Sequence, residues 1–544
     1  MTGRFRRRPL AIVGLDGGTF RVLEPMVQAG VMPTLDGMVR RGLSAVLRST
    51  VPAYTPPGWA SMTTGVNPGK HNTFGFLANT PQEPARLAHS GHVAAPAMWE
   101  YLNRGGLRVG VFNVPMSYPP VKVDGFMVAG GIAAGWQDPE LPGFASEPAI
   151  ADLINRVTDG HYPLDTQVSY ELDWRSVRVA ERVERVQRIR RRALGAVLDA
   201  VDVNVLYAVF EGVDRLQHLH YQYLVPWSDW YDRPEAAEAR ERARSYFAEL
   251  DAALADIVAW AGDDGHVILV SDHGGGPWEK TLNVNLLLDE WGYLAVPALA
   301  KAGRLRAVAG PGVRLGRRLL PRSVVNRVKA RIGRAVAWER TKAFAAQVAE
   351  QGIHVNQAGD LPKGILSEAE AAGVERELTD RLSSYVDPDD GRPVVDRIIR
   401  RGDALSGPFV SRAPHLFPFC RDQRYEISDT LVAAGPLTDH RDRPWGCHHS
   451  DGILIASGPG VSSGWYERGF DIVDVLPTAL HLLGEAIPTS LDGRLRVDAL
   501  QGEPAGREAR REDVSLAPAG TGYPFSEQQE REIEESLRAL GYVE

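Results

Sequence analysis

The sequence has very little cysteine: Cys420 and Cys447 are the only two among 544 residues. A disulfide framework therefore does not hold this chain together, and a chain of this length can bury a large apolar core instead. No stretch approaches the roughly 18 uninterrupted apolar residues that a transmembrane helix needs. The basic start, MTGRFRRR, precedes an apolar run that Asp16 ends too early for a signal peptide. We therefore expect a cytoplasmic protein.

A net positive charge is also missing. The chain carries 61 Lys and Arg against 69 Asp and Glu, a formal net charge of -8. Domains that bind nucleic acid are usually strongly basic, so the composition argues against such a role but not against a nucleotide as a small substrate. Residues 301–342 depart from this average, with many arginines and one acid, Glu339. A solvated basic surface is the simpler interpretation, and a docking patch for an anionic lipid or a polyanion is the alternative.

Short β-branched runs alternate with longer helical stretches along the chain. The predicted helices include 179–201 and 234–261. The predicted strands are LAIVGLD (10–16), RVGVFNVP (108–115), VNVLYAVF (203–210), GHVILVSDHG (265–274) and DGILIASGPG (451–460). This alternation predicts an α/β fold with a mostly parallel sheet, in which functional groups gather beyond the carboxyl ends of the strands.

Composition also suggests how the chain is divided. The arginine-rich stretch is predicted to begin an insertion, and the ending REIEESLRALGYVE is typical of a peripheral helix. We predict a catalytic domain formed by residues 1–300 and 411–500, an inserted cap at 301–410 and a helical tail at 501–544.

The first strand ends in AIVGLDGGTF, a glycine-rich turn that contains Asp16. These ten residues alone fit two roles. Asp16 could lie beside the phosphates of ATP, as in the Asp-Gly-Gly-Thr turn of sugar kinases, or it could bind a metal. The first role predicts a second Asp-Gly phosphate turn and leaves the histidine clusters further along the chain unexplained.

Asp214 and His218 lie four residues apart in VFEGVDRLQHLHY, a spacing that puts both side chains on one face of a helix. A carboxylate and an imidazole so placed suit a zinc-like ion. The pair alone is weak evidence for a metal, because exposed Asp–His pairs are common on helices.

Two further clusters adjoin predicted strands. In VILVSDHGGG an apolar strand ends in Asp272 and His273, followed by glycines that let the backbone approach a bound group. In GCHHSDGILIASGPG, His448 and His449 are neighbours that cannot easily face one site together.

The clusters and the first strand together supply enough N and O ligands for two ions, each with three protein ligands and one open position. These ligands are Asp16, Asp214, His218, Asp272, His273 and one of His448 and His449. Two ions about 4 Å apart form a clamp suited to phosphoryl transfer. The metal-binding role of Asp16 is therefore favoured over the ATP role.

The segment VPAYTPPGWASMTTGVNPGKH presents the hydroxyl of Thr55 ahead of two prolines that stiffen the turn. Taken alone, Thr55 is most simply a helix N-cap. The helical stretch GWASMTTG is predicted to offer backbone N–H groups to an anion. A threonine hydroxyl is a poor nucleophile unless a base or a metal activates it, which links Thr55 to the Asp/His clusters.

These motifs, in this order, resemble the alkaline phosphatase superfamily. The closest resemblance is to its type I phosphodiesterase/nucleotide pyrophosphatase branch and the bacterial phosphohydrolase or phosphomutase relatives. The matching pieces are GLDGGTF, TPPGWASMTTGVNPGKH, EGVDRLQHLHY, VSDHGGG and GCHHSDGILIASGPG. The resemblance implies a mostly parallel central sheet with helices on both faces and an inserted cap.

The resemblance also implies a role for each site residue. Thr55 would be the nucleophile and would carry a phosphothreonine intermediate. One metal would be surrounded by Asp16, Thr55, Asp272 and His273. The other would be held by Asp214, His218 and His448, because His448 with Asp451 fits the family's His-x-x-Asp/Asn pattern and His449 is one residue out of register. The implied ions are two Zn ions, with Mn in mutase-like members.

One departure from the family bears on the substrate. Nucleotide pyrophosphatases of the eukaryotic type carry an Asn that helps bind the phosphoryl oxygen, and Phe76 stands at that position here. Asn72 and Asn113 are the candidate substitutes, which leaves a nucleotide substrate in doubt.

Two signatures of other branches are missing: the Cys/Ser-x-Pro-x-Arg of sulfatases and the Ser-centred motif of cofactor-independent phosphoglycerate mutases. We therefore predict hydrolysis of a small phosphodiester or phosphomonoester. The alternatives are a phosphomutase or phosphotransferase, a sulfatase-like hydrolase and a non-catalytic anion-binding relative.

Overall fold

The computed structural model describes residues 8–78, 80, 82–83, 86–130, 143–163, 178–297, 336–346, 351–514 and 516. Most of the basic stretch 301–342 and most of the predicted tail 501–544 lie outside these residues, so the docking patch and the tail helix stay predictions. No described helix combines the length and the apolar character needed to cross a bilayer.

The described strands are short. In chain order they are β1 Leu10–Leu15, β2 Leu43–Arg48, β3 Val109–Val114, β4 Gly125–Ala129, β5 Val205–Phe210, β6 His266–Val270, β7 Gly274–Pro277, β8 Lys280–Asn283, β9 Ala343–Ala345, β10 Ile353–Val355, β11 Val395–Arg400, β12 Leu416–Cys420, β13 Tyr425–Ser428, β14 Leu437–Asp439, β15 Gly446–His449, β16 Asp451–Ser457, β17 Gly464–Asp471, β18 Ile487–Pro488 and β19 Arg511–Glu512. All five predicted strands are present within this set.

The helices lie between these strands. In chain order they are α1 Phe20–Gln28, α2 Pro33–Arg41, α3 Thr55–Thr64, α4 Pro68–His71, α5 Met98–Arg104, α6 Pro148–Val157, α7 Arg178–Ala200, α8 Gly212–Leu224, α9 Pro234–Ala261, α10 Val284–Glu290, α11 Glu368–Ser384, α12 Arg401–Ala404, α13 Val475–Leu482 and α14 Gly502–Gly506. Short 3-10 turns occur at Ser90–His92, Trp338–Arg340, Val410–Arg412, Ile472–Asp474 and Val497–Ala499. Local signals start several helices; for example, the Thr19 side chain caps α1, and Ser367 and Glu370 form a capping box on α11.

The largest sheet has eight strands in the order β17-β2-β16-β6-β1-β5-β3-β4. Strand β16 runs antiparallel to both of its neighbours, and every other pairing in this sheet is parallel. The predicted α/β fold with a mostly parallel central sheet is therefore confirmed.

Helices cover both faces of this sheet. On β1, Ala11, Val13 and Leu15 belong to an apolar cluster that includes buried residues of α1, α2, α7, α8 and α9. The alternate residues Leu10 and Ile12 belong to a second cluster with buried residues of α3, α5 and α13. A parallel strand buried on both faces is apolar throughout, which is why β1 and β5 could be recognised as continuous hydrophobic runs.

The chain forms two compact units. The first contains the eight-stranded sheet, the two-stranded ribbon of β7 and β15, and the pair β18 and β19. The second covers residues 77–86 and 278–443 and holds a seven-stranded sheet with its own apolar core. The strand path there is β14-β8-β13-β12-β10-β9, with β11 paired to β12. Strands β8 and β12 to β14 lie outside the predicted cap limits of 301 and 410, which stay a prediction.

Candidate metal centre

The predicted ligands follow three adjacent parallel strands. Asp16 comes directly after β1, Asp272 and His273 follow β6, and Asp214 lies in the first turn of α8, just beyond β5. Strand β1 pairs in parallel with both β5 and β6, so the carboxyl ends of all three strands meet at one edge. The Asp214 N–H donates to the Asp16 carbonyl at 3.1 Å, which ties two of these loops together.

A first group of side chains surrounds the His273 ring. Its Nδ1 lies 3.0 Å from the Gly274 carbonyl, which can only accept, so Nδ1 donates this hydrogen bond and Nε2 is the ring nitrogen left to face the other side chains of the group. That Nε2 lies 3.3 Å from Asp272 Oδ2, 3.7 Å from Asp16 Oδ1 and 3.3 Å from Thr55 Oγ1. Ligand atoms of Asp16, Asp272 and His273 lie within 4.8 Å of one another.

A second group adjoins the first. Asp214 Oδ1 lies 3.1 Å from His218 Nε2 and 3.6 Å from His448 Nε2, and the two Nε2 atoms are 3.1 Å apart. Asp214 and His448 also have ligand atoms within 4.8 Å of one on His273, so the two groups share a border at that ring.

The ribbon of β7 and β15 brings His448 to this border. His448 pairs with Gly275 and His449 pairs with Gly274 in the antiparallel register. The His448 ring centroid lies 4.1 Å from that of His273, whereas His449 Nδ1 accepts a hydrogen bond from the Asp451 N–H at 3.1 Å. Neighbouring residues of a strand face opposite sides, so only His448 of the two reaches the Asp214 group.

The electrostatics of the site favour a bound cation. Burial, followed by repulsion from Asp272 and Asp214, raises the pKa of Asp16 well above its usual value. Burial also raises the pKa of Asp272 to about 6 and lowers that of His448 to about 3. Burial would raise the pKa of Asp214 too, but its contacts with His218 and His448 outweigh burial and hold the pKa well below the usual value.

One carboxylate oxygen of Asp272 indicates whether these residues fit a metal ion. Asp272 is fully buried, and among the described residues its Oδ2 has no hydrogen-bond donor, although its Oδ1 accepts the Gly17 N–H at 3.2 Å. A buried carboxylate oxygen without a donor is costly unless a cation compensates it. Three buried carboxylates beside three imidazoles are the ligand types that Zn²⁺ accepts, so the residues present fit divalent ions.

The surrounding residues include several that sequence reasoning missed. The Gln217 amide donates to the Gly17 carbonyl at 2.7 Å, and the Trp59 indole donates to Asp16 Oδ2 at 3.0 Å. The Tyr54 ring contacts the His448 ring edge-on at 4.6 Å. A signal for Trp59 was available, because it lies four residues after Thr55 and so shares a face of any helix that both occupy.

Helix α3 differs from its predicted role. It begins at Thr55 itself, and Pro56 and Pro57 carry no N–H, while the Gly58 N–H donates to the Tyr54 carbonyl at 2.8 Å. The prediction that GWASMTTG offers its N–H groups to an anion is therefore wrong. Within the first three residues of α3, Thr55 alone has a backbone N–H to offer.

The two candidate asparagines are held by other groups. Asn113 is fully buried, and its Nδ2 donates to the Val209 carbonyl and to Glu211 Oε2, each at 3.1 Å. Asn72 ends α4 in the left-handed region, with its Nδ2 3.2 Å from His92 Nε2. Their proposed contact with substrate stays a prediction. The Phe76 ring contacts the Tyr54 ring at 5.6 Å.

Gly17 tests whether the close packing of the Asp16 turn against Asp214 is needed for metal binding. Its φ is +67°, and a Cβ there would lie 3.0 Å from Asp214 Cβ and 3.1 Å from Asp214 Cα. We expect Gly17→Ala to cost about 1–2 kcal/mol of stability from the left-handed backbone, and to lower metal affinity because Asp214 must move. Gly30→Ala is the matched control, because Gly30 has a φ of +72° and open space around it. Thermal unfolding and zinc titration of both variants would test this, and equal zinc affinity in the two would contradict it.

Comparisons with known proteins identify the family of this chain. A family model described as type I phosphodiesterase / nucleotide pyrophosphatase matches residues 10–376. Among solved structures, the chain is similar to phosphonoacetate hydrolase from Sinorhizobium meliloti 1021 in complex with phosphonoacetate. That likeness has a TM-score of 0.52 and 15% identity and covers 88% of this chain and 95% of that one. No curated protein matches the sequence.

The family match covers well over half of the chain and takes in β1, α3, α8 and β6, which position most of the candidate site. The structural likeness covers more of the chain than the family match does and supports the shared fold. The chain belongs to the type I phosphodiesterase/nucleotide pyrophosphatase family, within the alkaline phosphatase superfamily.

Proposed function

We propose that this protein is a two-metal phosphoesterase that cleaves a small phosphodiester or phosphomonoester through a phosphothreonine intermediate on Thr55. One observation supports this most strongly: two buried groups of N and O ligands adjoin at His273, and the Thr55 hydroxyl lies 3.3 Å from His273 Nε2. A hydroxyl at the edge of such a paired site is suitably placed to act as a nucleophile.

In this proposal each ligand group holds one divalent ion. The first ion would be held by Asp16, Thr55, Asp272 and His273, and the second by Asp214, His218 and His448. When bound, such ions activate a nucleophilic oxygen and offset the charge that develops on the phosphoryl group. Imidazole and carboxylate ligands without thiolate suit Zn²⁺, and Mn²⁺ is the alternative.

Thr55 supplies the nucleophilic oxygen of the proposed reaction. Thr55 Oγ1 loses its proton and forms a bond to phosphorus as the P–O bond of the ester breaks. The leaving oxygen takes the electrons of that bond and a proton, and departs as an alcohol. Water then cleaves the Thr55 phosphate ester, which releases phosphate or a phosphomonoester and restores the hydroxyl. Thr55 is the first residue of α3, and the two prolines after it restrict the backbone of that first turn, which holds the Cα of Thr55 in place beside the ligand groups.

Two residues bear on the class of substrate. Phe76 packs against Tyr54 where related nucleotide pyrophosphatases carry an amide, and the Asn113 amide donates to Val209 and Glu211. We therefore expect the groups that bind the phosphoryl oxygen to differ from those of nucleotide pyrophosphatases, and we propose a small phosphate ester as the substrate.

The test combines metal analysis with two model substrates. We expect roughly two Zn or Mn ions per chain in purified protein, and turnover that a chelator abolishes and metal restores. The ratio of activity on bis-p-nitrophenyl phosphate to activity on p-nitrophenyl phosphate would rank the diesterase against the monoesterase. p-Nitrophenyl sulfate serves as the control substrate and should turn over more slowly. Protein that binds no metal after reconstitution, or that is unaffected by the chelator, would overturn the proposal.

A further inference from the structure

Trp59 makes a polar contact from inside an apolar cluster. Its side chain is fully buried among residues of β1, β5 and α3, yet its indole N–H donates to Asp16 Oδ2 at 3.0 Å. An indole has this one donor and no acceptor, so its entire hydrogen-bonding capacity is directed to one carboxylate oxygen.

This contact leaves the other oxygen of Asp16 for the metal centre. Asp16 Oδ1 is the atom that lies 3.7 Å from His273 Nε2. A carboxylate whose one oxygen is held by a fixed donor cannot rotate freely, so its second oxygen keeps a defined direction.

The indole itself has little room to move. A Cβ built at Gly14 would lie 2.3 Å from Cη2 and 2.8 Å from Cζ3 of Trp59, which means that the ring rests against the bare backbone of β1. The Tyr207 ring of β5 meets it edge-on, with 6.4 Å between centroids. The ring is thus wedged against the strand that carries Asp16.

Trp59 also belongs to the helix that presents the nucleophile. It lies four residues after Thr55, so both side chains are on one face of α3. A single short helix therefore holds the Thr55 hydroxyl at its start and the donor to Asp16 one turn later.

We propose that Trp59 is a positioning residue for the first ion. It orients Asp16 so that Oδ1 faces the ion, and it fixes α3, and with it Thr55, relative to that carboxylate. This inference rests on the proposed function, because it assigns the support of one of the two metal sites.

The experiment measures metal binding rather than turnover. Chelator-stripped wild type and Trp59→Phe would be equilibrated with buffered Zn²⁺, and bound zinc counted at each free concentration. We expect one of the two ions to bind about 10–100-fold more weakly in Trp59→Phe, the range for loss of a supporting hydrogen bond, while the other keeps its affinity. Trp99→Phe is the matched control, because Trp99 is a buried indole of the same apolar cluster.

A second variant separates the lost hydrogen bond from lost volume. β-(3-Benzothienyl)alanine at position 59 keeps the bicyclic ring and replaces its N–H by sulfur. It should therefore lower the affinity for the same ion, and it tests the role of the N–H even if Trp59→Phe fails to fold. Wild-type affinity for both ions in this variant would overturn the role of Trp59 and leave the proposed function standing. If wild type itself bound no zinc, the proposed function would fail first.

Discussion

Thr55→Ala is expected to lower kcat for phosphoester cleavage by on the order of 10⁴-fold or more, because removing the nucleophile of a covalent mechanism leaves only binding and electrostatic contributions. The expected result follows from position: Thr55 Oγ1 lies 3.3 Å from His273 Nε2, at the border of the first ligand group. Steady-state turnover of the better of the two nitrophenyl phosphates would measure it.

Two controls make the Thr55 result specific. Thr55→Ser keeps a hydroxyl and should retain much of the activity. Thr63→Ala removes a hydroxyl of the same helix, one that donates to the helix carbonyls of Trp59 and Ala60. Acid-quenched wild type should carry a phosphoryl group on Thr55 by mass spectrometry, and Thr55→Ala should not. Unchanged turnover in Thr55→Ala, with its metals still bound, would rule out the phosphothreonine route.

The central sheet could be predicted because its strands are buried on both faces. Strands β1 and β5 are apolar throughout, and their carboxyl ends carry Asp16 and, one turn into α8, Asp214. A polar residue directly after an apolar run is visible in a sequence, and parallel pairing then brings such residues together. For this reason the ligand candidates were predictable before their distances were known.

Other features depend on contacts between distant parts of the chain. The ribbon of β7 and β15 pairs residues more than 160 positions apart in sequence, and no local pattern shows that Gly275 will lie beside His448. The antiparallel direction of β16 is hidden in the same way, because a buried strand has the same pattern in either direction. The anion-binding prediction for α3 failed for a local reason, since Pro56 and Pro57 occupy the turn that would have supplied N–H groups.

His448 and His449 form a natural pair for a second large effect. They are adjacent, similarly buried and on opposite faces of β15, but only His448 lies within 3.6 Å of Asp214 Oδ1 and 3.1 Å of His218 Nε2. We expect His448→Ala to lose one of two bound ions and about 10²–10³-fold of kcat, because two remaining ligands hold an ion poorly and charge stabilisation is lost with it.

His449→Ala is the control for the loss of stability that follows when a buried imidazole is removed from the same strand. Its imidazole accepts the Asp451 N–H and stands on the other face, so both ions and most of the activity should remain, even if the melting temperature falls. Zinc content by mass spectrometry and turnover of the two variants, with circular dichroism to confirm folding, would decide between them. If His449→Ala lost the ion and His448→Ala kept it, the second site would belong to His449. Strand β15 would then have to pair with β7 one residue out of the observed register, because a shift of one residue exchanges the two faces of a strand.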